Sequence, residues 1–292
     1  MAATLLRHAA VANLAAFAVA FTLSGMAAQG VELDPTAVKV VRPDQFKWRD
    51  PTDQAASNNT ILYGDPSKPG FYIAINKFKP GRFGVPHYHP TDRFITVING
   101  TWWKGSGKVK DITHTQRLPA ISFGIDYGLK VHWDGTKEDP ATVLIQGEGP
   151  ATNIDAGQEQ GTFNGPDPTM VKYWTSDEFK WRDPSNAAPI NQAVLQGDPS
   201  KAGIYVMLNR YKSGAYSRPH FHPNDAFVMV LKGTLMVGTG RKFDNDAMVA
   251  MPTGTFMQHF GKHVHFQGAK DEEALILVSG YGPATATPAE DK

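Results

Sequence analysis

One folding unit is written twice along this chain, and that repeat constrains the fold more than any other feature. The hexapeptide Phe-Lys-Trp-Arg-Asp-Pro begins at Phe46 and again, letter for letter, at Phe179. The offset of 133 residues is constant, so residues 38–152 align with residues 171–285 without a gap. A constant offset over about 115 residues, an ordinary domain size, predicts duplication of one complete domain.

The repeat predicts a domain plan for the chain of 292 residues. An N-terminal domain spans residues 38–152, and a C-terminal domain spans residues 171–285. The segment between them, residues 153–170, carries Gly, Gln, Asp and Pro with few apolar residues, which predicts a linker. Residues 286–292 are predicted to be a frayed tail.

Residues 1–28 are predicted to be a secretory signal peptide. Arg7 provides a basic start, residues 9–23 form a short apolar stretch, and small residues such as Ala27 and Ala28 follow. That stretch is shorter than the roughly 20 apolar residues that a membrane-spanning helix needs. The mature protein is therefore expected to begin near Gln29, to be secreted or periplasmic, and to have no membrane partner. An amphipathic or membrane-anchoring N-terminal helix is the alternative.

The apolar segments of both copies are short and rich in β-branched and aromatic residues. Examples are Phe71–Ile75 and Phe94–Ile98, with their counterparts Ile204–Leu208 and Phe227–Leu231. Tight turns such as Asn99-Gly100 separate paired segments, as hairpins require. No stretch of the mature chain keeps a helical apolar period over three turns. The sequence therefore predicts an all-β fold, with an antiparallel sandwich or barrel in each copy.

Composition excludes several classes of function. The 29 Lys and Arg residues against 28 Asp and Glu residues leave a net charge of +1, too little to neutralise a run of phosphates. The chain has no cysteine, which excludes disulfides, zinc-thiolate sites, iron–sulfur clusters and Cys nucleophiles. We therefore expect no nucleic-acid partner, and a homo-oligomer is compatible with the sequence.

Histidines carry the functional signal. Six of the ten occur at matched positions in the two copies: His87, His89 and His132, and then His220, His222 and His265. Residues two apart on a strand project from the same face, so each His-x-His pair can meet a third histidine inside a barrel. Imidazole binds zinc, copper, iron and nickel, and three protein ligands leave coordination positions open. Hydrogen-bonded polar residues are the alternative, but duplication of the whole pattern favours metal ligands.

The motifs around these histidines resemble those of the cupin superfamily. The first cupin motif, G-x5-H-x-H-x3,4-E-x6-G, is matched by Gly81, His87, His89 and Gly100, and again by Gly214, His220, His222 and Gly233. The second motif, G-x5-P-x-G-x2-H, is looser. Its last histidine is present in both copies, while its other positions hold Ile121, Tyr127 and Leu129 in the first copy and Gly254, Phe260 and Lys262 in the second. The resemblance covers nearly all of the mature chain and implies a bicupin, with two tandem double-stranded β-helix barrels of jelly-roll type.

The resemblance also implies a cofactor and an activity. The expected cofactor is a divalent first-row metal held by histidines, with Fe(II) first and Zn, Mn, Ni or Cu as alternatives. A dioxygenase-like activity on a small organic molecule ranks first. The alternatives are a metal-dependent isomerase or lyase acting on a sugar or organic acid, and a non-catalytic binding bicupin with degenerate metal sites.

The glutamate of the first cupin motif, which is usually a fourth metal ligand, is absent from both copies. Arg93 replaces it in the first copy, and a permanent cation facing a dication is repulsive unless it pairs with Asp92 or an anionic substrate. Ala226 replaces it in the second copy and leaves a position open. The second site is therefore expected to hold metal more tightly. His259 and His263 are expected to be exposed polar residues, with a place beside the metal ligands as the alternative.

Overall fold

The computed structural model describes residues 32–291, so the predicted signal peptide lies outside the described residues. The strands of the first repeat are β1 (Val38–Val41), β2 (Ser57–Tyr63), β3 (Gly70–Phe78), β4 (His87–Tyr88), β5 (Arg93–Ser106), β6 (Gln116–Pro119), β7 (Phe123–Asp126), β8 (His132–Gly135), β9 (Ala141–Gly149) and β10 (Ile154–Asp155). The strands of the second repeat are β11 (Val171–Trp174), β12 (Ile190–Gln196), β13 (Gly203–Tyr211), β14 (His220–Phe221), β15 (Ala226–Lys232), β16 (Thr234–Thr239), β17 (Val249–Pro252), β18 (Phe256–His259), β19 (His265–Gly268), β20 (Ala274–Gly282) and β21 (Thr287–Pro288). Two single-turn 3₁₀ helices lie at Pro43–Gln45 and Ile112–His114. The all-β prediction is confirmed.

Each repeat curls into an antiparallel barrel with the same strand order. One sheet runs β2-β3-β9-β5-β7 in the first barrel and β12-β13-β20-β15-β18 in the second. The other sheet runs β6-β5-β8-β4-β10 in the first barrel and β17-β16-β19-β14-β21 in the second. Strand β5 is long enough to belong to both sheets, whereas its counterpart is divided into β15 and β16. The predicted pair of like barrels is confirmed.

The first strand of each repeat joins the barrel formed by the other repeat. Strand β1 pairs with β18, where Val38 lies opposite His259. Strand β11 pairs with β7, where Val171 lies opposite Asp126. Each barrel therefore combines one repeat with a single strand taken from the other. This exchange ties the two barrels together through backbone hydrogen bonds.

The segments between and after the repeats each contribute a strand. Strand β10 lies between the repeats and pairs with β4, and β21 lies after them and pairs with β14. Ala289, close to the C-terminus, is 5% exposed. Both segments therefore cover the edge strand that carries the first histidine of each triad, where an uncovered edge would leave backbone groups unpaired.

A shared apolar core joins the two barrels. The Phe227 ring lies 5.6 Å from the Phe71 ring and 4.2 Å from the Tyr63 ring, centroid to centroid. The buried Ser279 hydroxyl also donates a hydrogen bond of 2.6 Å to the side-chain oxygen of Gln146, its counterpart in the repeat.

Within residues 32–291, no helix is long and apolar enough to cross a bilayer.

The loops that carry the looser second motif keep one backbone conformation despite their different side chains. Ile121 and its counterpart Gly254 have φ angles of 69° and 88°, and Leu129 and its counterpart Lys262 have φ angles of 61° and 65°. This left-handed region costs non-glycine residues about 1–2 kcal/mol each. The chain therefore maintains the turn before each third histidine at some expense of stability.

Replacing Leu129 with glycine is expected to stabilise the protein by about 0.5–1 kcal/mol, because relief of the left-handed strain exceeds the greater backbone entropy of glycine in the unfolded chain. Little packing is lost, since Leu129 is 67% exposed. Urea denaturation measures the change. Val85→Gly is the matched control, because Val85 is 55% exposed and does not have a positive φ. It should lower the stability, and an equal fall for Leu129→Gly would contradict the prediction.

Candidate metal centres

The fold brings the six predicted histidines together as two triads. His87 lies opposite His132 in the ladder between β4 and β8, and His220 lies opposite His265 between β14 and β19. His89 and His222 complete the triads, with ring centroids 5.1 and 5.4 Å from the rings of His132 and His265. Within each triad, the candidate ligand atoms all lie within 4.8 Å of one another. Each barrel therefore has the donor set that the spacing predicted.

Backbone carbonyl groups orient the first triad. The Nδ1 atoms of its three rings lie at hydrogen-bond distance from the carbonyl oxygens of Val85, Thr152 and Lys130, at 2.8, 3.0 and 3.1 Å. A carbonyl oxygen can only accept, so each Nδ1 carries the hydrogen and each Nε2 presents a lone pair. The Nε2 atoms of His89 and His132 are buried and have no hydrogen-bond partner. These unsatisfied acceptors fit a metal ion.

The second triad is oriented in the same way. The Nδ1 atoms of its rings lie 2.7, 3.1 and 3.2 Å from the carbonyl oxygens of Arg218, Ala284 and His263. The same tautomer therefore directs each Nε2 inward. The His263 side chain is exposed, as predicted, and its backbone carbonyl rather than its ring contributes to this site.

Burial favours the neutral form of five of the six candidate ligands. Loss of hydration lowers the pKa of His89 to about 2 and that of His132 to about 3. Burial also lowers the pKa values of the second triad, including that of His265. Neutral imidazole is the form that binds a metal, so at neutral pH no proton competes for these nitrogens.

The partner of Arg93 differs from the predicted one. Arg93 lies opposite Asp126 in the ladder between β5 and β7, and its Nη2 atom is 3.5 Å from Asp126 Oδ2. Asp92 instead accepts a hydrogen bond of 2.7 Å from the backbone N–H of Gly128. The possible pairing with Asp92 is wrong, because that side chain is bound to the loop between β7 and β8.

Asp126 belongs to a buried network that the sequence did not reveal. Lys104 is fully buried, and its Nζ lies 2.8 Å from the Asp126 carboxylate and 2.9 Å from that of Asp134. Asp126 Oδ2 also lies 3.3 Å from His132 Nε2. Burial opposes ionisation of Asp126, but the neighbouring cations Lys104 and Arg93 outweigh it and hold the pKa of Asp126 well below its usual range. Two carboxylates therefore offset the two cations, and the premise that Arg93 is an uncompensated charge is wrong.

The second barrel has no formal charge at the four equivalent positions. Ala226, Val237, His259 and Gln267 replace Arg93, Lys104, Asp126 and Asp134. A difference between the two copies at these positions was the one sequence signal that could have revealed the network. The two triads are therefore alike, while the side chains behind them differ.

His259 is buried, so the expectation that it would be exposed is wrong. It is 2% exposed because its side chain faces the interior of the barrel, where it lines the second cavity. Its ring lies 4.4 Å from the His265 ring, and its Nε2 is buried without a hydrogen-bond partner. Burial lowers the pKa of His259 to about 3. The predicted alternative, a place beside the metal ligands, is the one adopted.

Each barrel holds a cavity that reaches its triad, through His87 alone in the first barrel and through all three histidines in the second. The first cavity has a volume of about 610 Å³, and its lining includes His87, Arg93 and Trp102. The second has a volume of about 470 Å³, and its lining includes its whole triad and His259. Both volumes lie in the range of small-molecule sites. A small organic molecule can therefore lie beside either triad.

Solved structures resemble this chain. No protein-family model and no curated protein matches it. A candidate dioxygenase from Nostoc punctiforme superposes with a TM-score of 0.64 at 14% sequence identity, covering 88% of both chains. The formate complex of oxalate decarboxylase from Lactobacillus farciminis superposes with a TM-score of 0.61 at 11% identity, covering 85% of this chain and 88% of that one. A mutant of Bacillus subtilis oxalate decarboxylase gives 0.58 at 12% identity, covering 85% and 78%. At such identities the likeness is one of fold.

Proposed function

Because this chain has the cupin fold, we propose that it is a metal-dependent enzyme acting on a small organic molecule, with dioxygenase-like chemistry as the first candidate. One observation carries the proposal. In each barrel, three histidines are held by backbone carbonyls in the tautomer that directs Nε2 inward, beside a cavity. In the first barrel, hydrogen-bonded structural histidines would not leave the Nε2 atoms of His89 and His132 buried and unsatisfied.

The metal would be held by His87, His89 and His132 in the first barrel and by His220, His222 and His265 in the second. A divalent first-row metal, Fe(II) before Zn, Mn, Ni or Cu, would supply Lewis acidity and, for iron, redox chemistry with dioxygen. The chain supplies the ligands, fixes their orientation through the backbone, and places each site beside a cavity inside a barrel.

A lyase or isomerase acting on an organic acid is the second candidate. Arg93 borders the first cavity and is 9% exposed, and such a guanidinium suits a carboxylate substrate.

We also propose that residues 1–28 direct export, so that the protein is secreted or periplasmic. Mass spectrometry of the soluble protein from its native host should then find a start near Gln29, and an intact Met1 would contradict export.

Metal analysis tests the proposal directly. Natively purified protein should contain close to one metal ion for each intact triad, and His132→Ala or His265→Ala should each abolish binding in one barrel only. Since loss of a residue that merely supports a ligand costs about 10- to 100-fold in affinity, loss of a ligand should cost more. His114→Ala, at an exposed position, is the control. Protein that binds no first-row metal after reconstitution would refute the metal-dependent function.

Oxygen consumption separates the two candidate activities. Iron-loaded protein is tested against a panel of small diketones, thiols, sugars and organic acids. The triad variants are measured with the same panel as controls. Turnover with oxygen uptake that both His132→Ala and His265→Ala reduce or abolish supports the dioxygenase. Product formation without oxygen uptake supports the lyase or isomerase.

A further inference from the structure

Arg93 has hydrogen-bond donors that the protein does not use. Its side chain is 9% exposed, and its Nε is buried without a hydrogen-bond partner. Its one ion pair among the described residues is the contact of 3.5 Å with Asp126, at the outer limit of a hydrogen bond. The same carboxylate lies only 2.8 Å from Lys104 Nζ. Lys104 therefore makes the closer ion pair with this carboxylate, and Arg93 keeps a buried hydrogen-bond donor without an acceptor.

Part of the wall of the cavity beside Arg93 is apolar, although polar residues, including Arg49 and Arg82, line the rest. Phe78, Trp102, Ile95 and Ile145 line the same space of about 610 Å³ as Arg93 and His87. The Phe78 and Trp102 rings pack together, with centroids 4.3 Å apart. A ligand beside Arg93 can therefore place an anionic group on the guanidinium and an apolar body against these four side chains.

The second barrel offers no equivalent cation. Ala226 stands at the position of Arg93, and the arginine that borders the second cavity is Arg218. Glu290 pairs with one edge of the Arg218 guanidinium through two contacts, with Nε 2.9 Å from Oε2 and Nη2 in contact with Oε1. Of the two arginines, only Arg93 has buried donors without a partner.

We propose that the first barrel binds an organic carboxylate with an aromatic or other apolar body, whose carboxylate group lies on Arg93 beside the histidine triad. A guanidinium matches a carboxylate as a two-pronged donor. Charge supports the same assignment. Arg93 and Lys104 are already balanced by Asp126 and Asp134, so a dication in the triad leaves an excess of positive charge that a carboxylate offsets. This inference rests on the proposed function and specifies its substrate class in one barrel.

Calorimetric titration of the mature protein with benzoate tests the proposal. The protein is titrated both zinc-loaded and after chelation, with benzamide as the neutral isostere and inorganic phosphate as the competing anion. We expect one benzoate per chain and tighter binding than phosphate. Arg93→Gln should weaken benzoate binding by about tenfold or more and leave benzamide binding unchanged, because a charged hydrogen bond is lost. Arg218→Gln is the matched control and should leave benzoate binding unchanged.

A second variant tests whether weaker benzoate binding results from misfolding. Arg93→Lys keeps the positive charge beside Asp126 and removes the two-pronged donor, so benzoate binding should weaken while the thermal transition stays near that of the unmodified protein. Equal benzoate affinity in Arg93→Gln, tighter binding of phosphate, or loss of binding in Arg218→Gln would overturn the assignment.

Metal content, measured on the same samples, separates this proposal from the proposed function. If the protein cannot bind metal but binds benzoate in a way that depends on Arg93, the carboxylate site is supported and the proposed metal enzyme is refuted. Metal-loaded protein that does not bind benzoate would refute the carboxylate site alone.

Discussion

The metal-free protein is expected to lose its fold on acidification, with most of the loss between about pH 6 and pH 4. This expectation rests on three buried histidines. Burial lowers the pKa of His89 to about 2 and those of His132 and His259 to about 3. Unfolding returns each ring to water, where its pKa is about 6.5. The unfolded chain therefore binds protons that the folded chain cannot accept.

The direction of this effect follows from proton linkage. Above about pH 6.5 neither state protonates these rings, so stability does not depend on them there. Below that value each ring costs about 1.4 kcal/mol per pH unit, or about 2 kcal/mol at pH 5. Three rings cost about 6 kcal/mol, comparable with the whole stability of an ordinary domain. The lowered pKa values of Asp126 and Asp134 act in the same direction at still lower pH.

Circular dichroism against pH measures this transition. His259→Gln removes one buried base outside the triads and should move the acid midpoint to lower pH, whereas His114→Gln, at an exposed position, should not. Zinc loading should also lower the midpoint, because metal and protons compete for the same nitrogens. Metal-free protein that retains its full stability at pH 4 would show that these rings are not buried and neutral.

Asp126→Asn is expected to destabilise the protein by about 3–5 kcal/mol, the usual result of breaking a buried ion pair from one side. The substitution leaves Lys104 buried with Asp134 alone and Arg93 without its partner. It should also weaken metal binding at the first triad by about 10- to 100-fold, because the carboxylate beside His132 no longer offsets the neighbouring cations. Metal binding at the second triad should not change. Urea denaturation and metal titration measure the two effects.

The chain provides its own controls for this prediction. Asp65→Asn breaks the exposed pair with Lys68 and should change stability by less than about 1 kcal/mol. The fourfold exchange Arg93→Ala, Lys104→Val, Asp126→His and Asp134→Gln installs the residues of the second barrel and should recover much of the stability lost in Asp126→Asn. Recovery would show that the four residues act as one unit. An Asp126→Asn protein with unchanged stability and unchanged metal binding would contradict the role assigned to the network.

The same experiment decides the order of the two metal sites. The sequence argument placed the second site first, because Arg93 replaces an acid and Ala226 does not repel a cation. Asp126 removes the premise of that argument, since its carboxylate lies 3.3 Å from His132 Nε2. Comparable affinities at the two triads are therefore expected in the unmodified protein, and a clear preference for the second triad only in Asp126→Asn.

The repeat, the all-β fold and the grouping of the histidines could be read from the sequence alone, for a physical reason. Strand patterns, turn residues and the alternation that directs His87 and His89 to one face are local properties of the chain. A constant offset then requires that whatever one copy forms, the other copy forms as well. Export of the mature protein remains a prediction.

Tertiary structure decided what surrounds the histidines. Asp126 meets Arg93 across 33 residues of chain, and Lys104 meets Asp134 across 30. Such pairs depend on which strands are neighbours and in which register, and no local pattern specifies either. The burial of His259 depends on the barrel that closes around it, where its ring lies 4.4 Å from that of His265. The spacing of the histidines thus defines two similar triads. Long-range strand pairing determines that buried charges surround the first triad and neutral side chains surround the second.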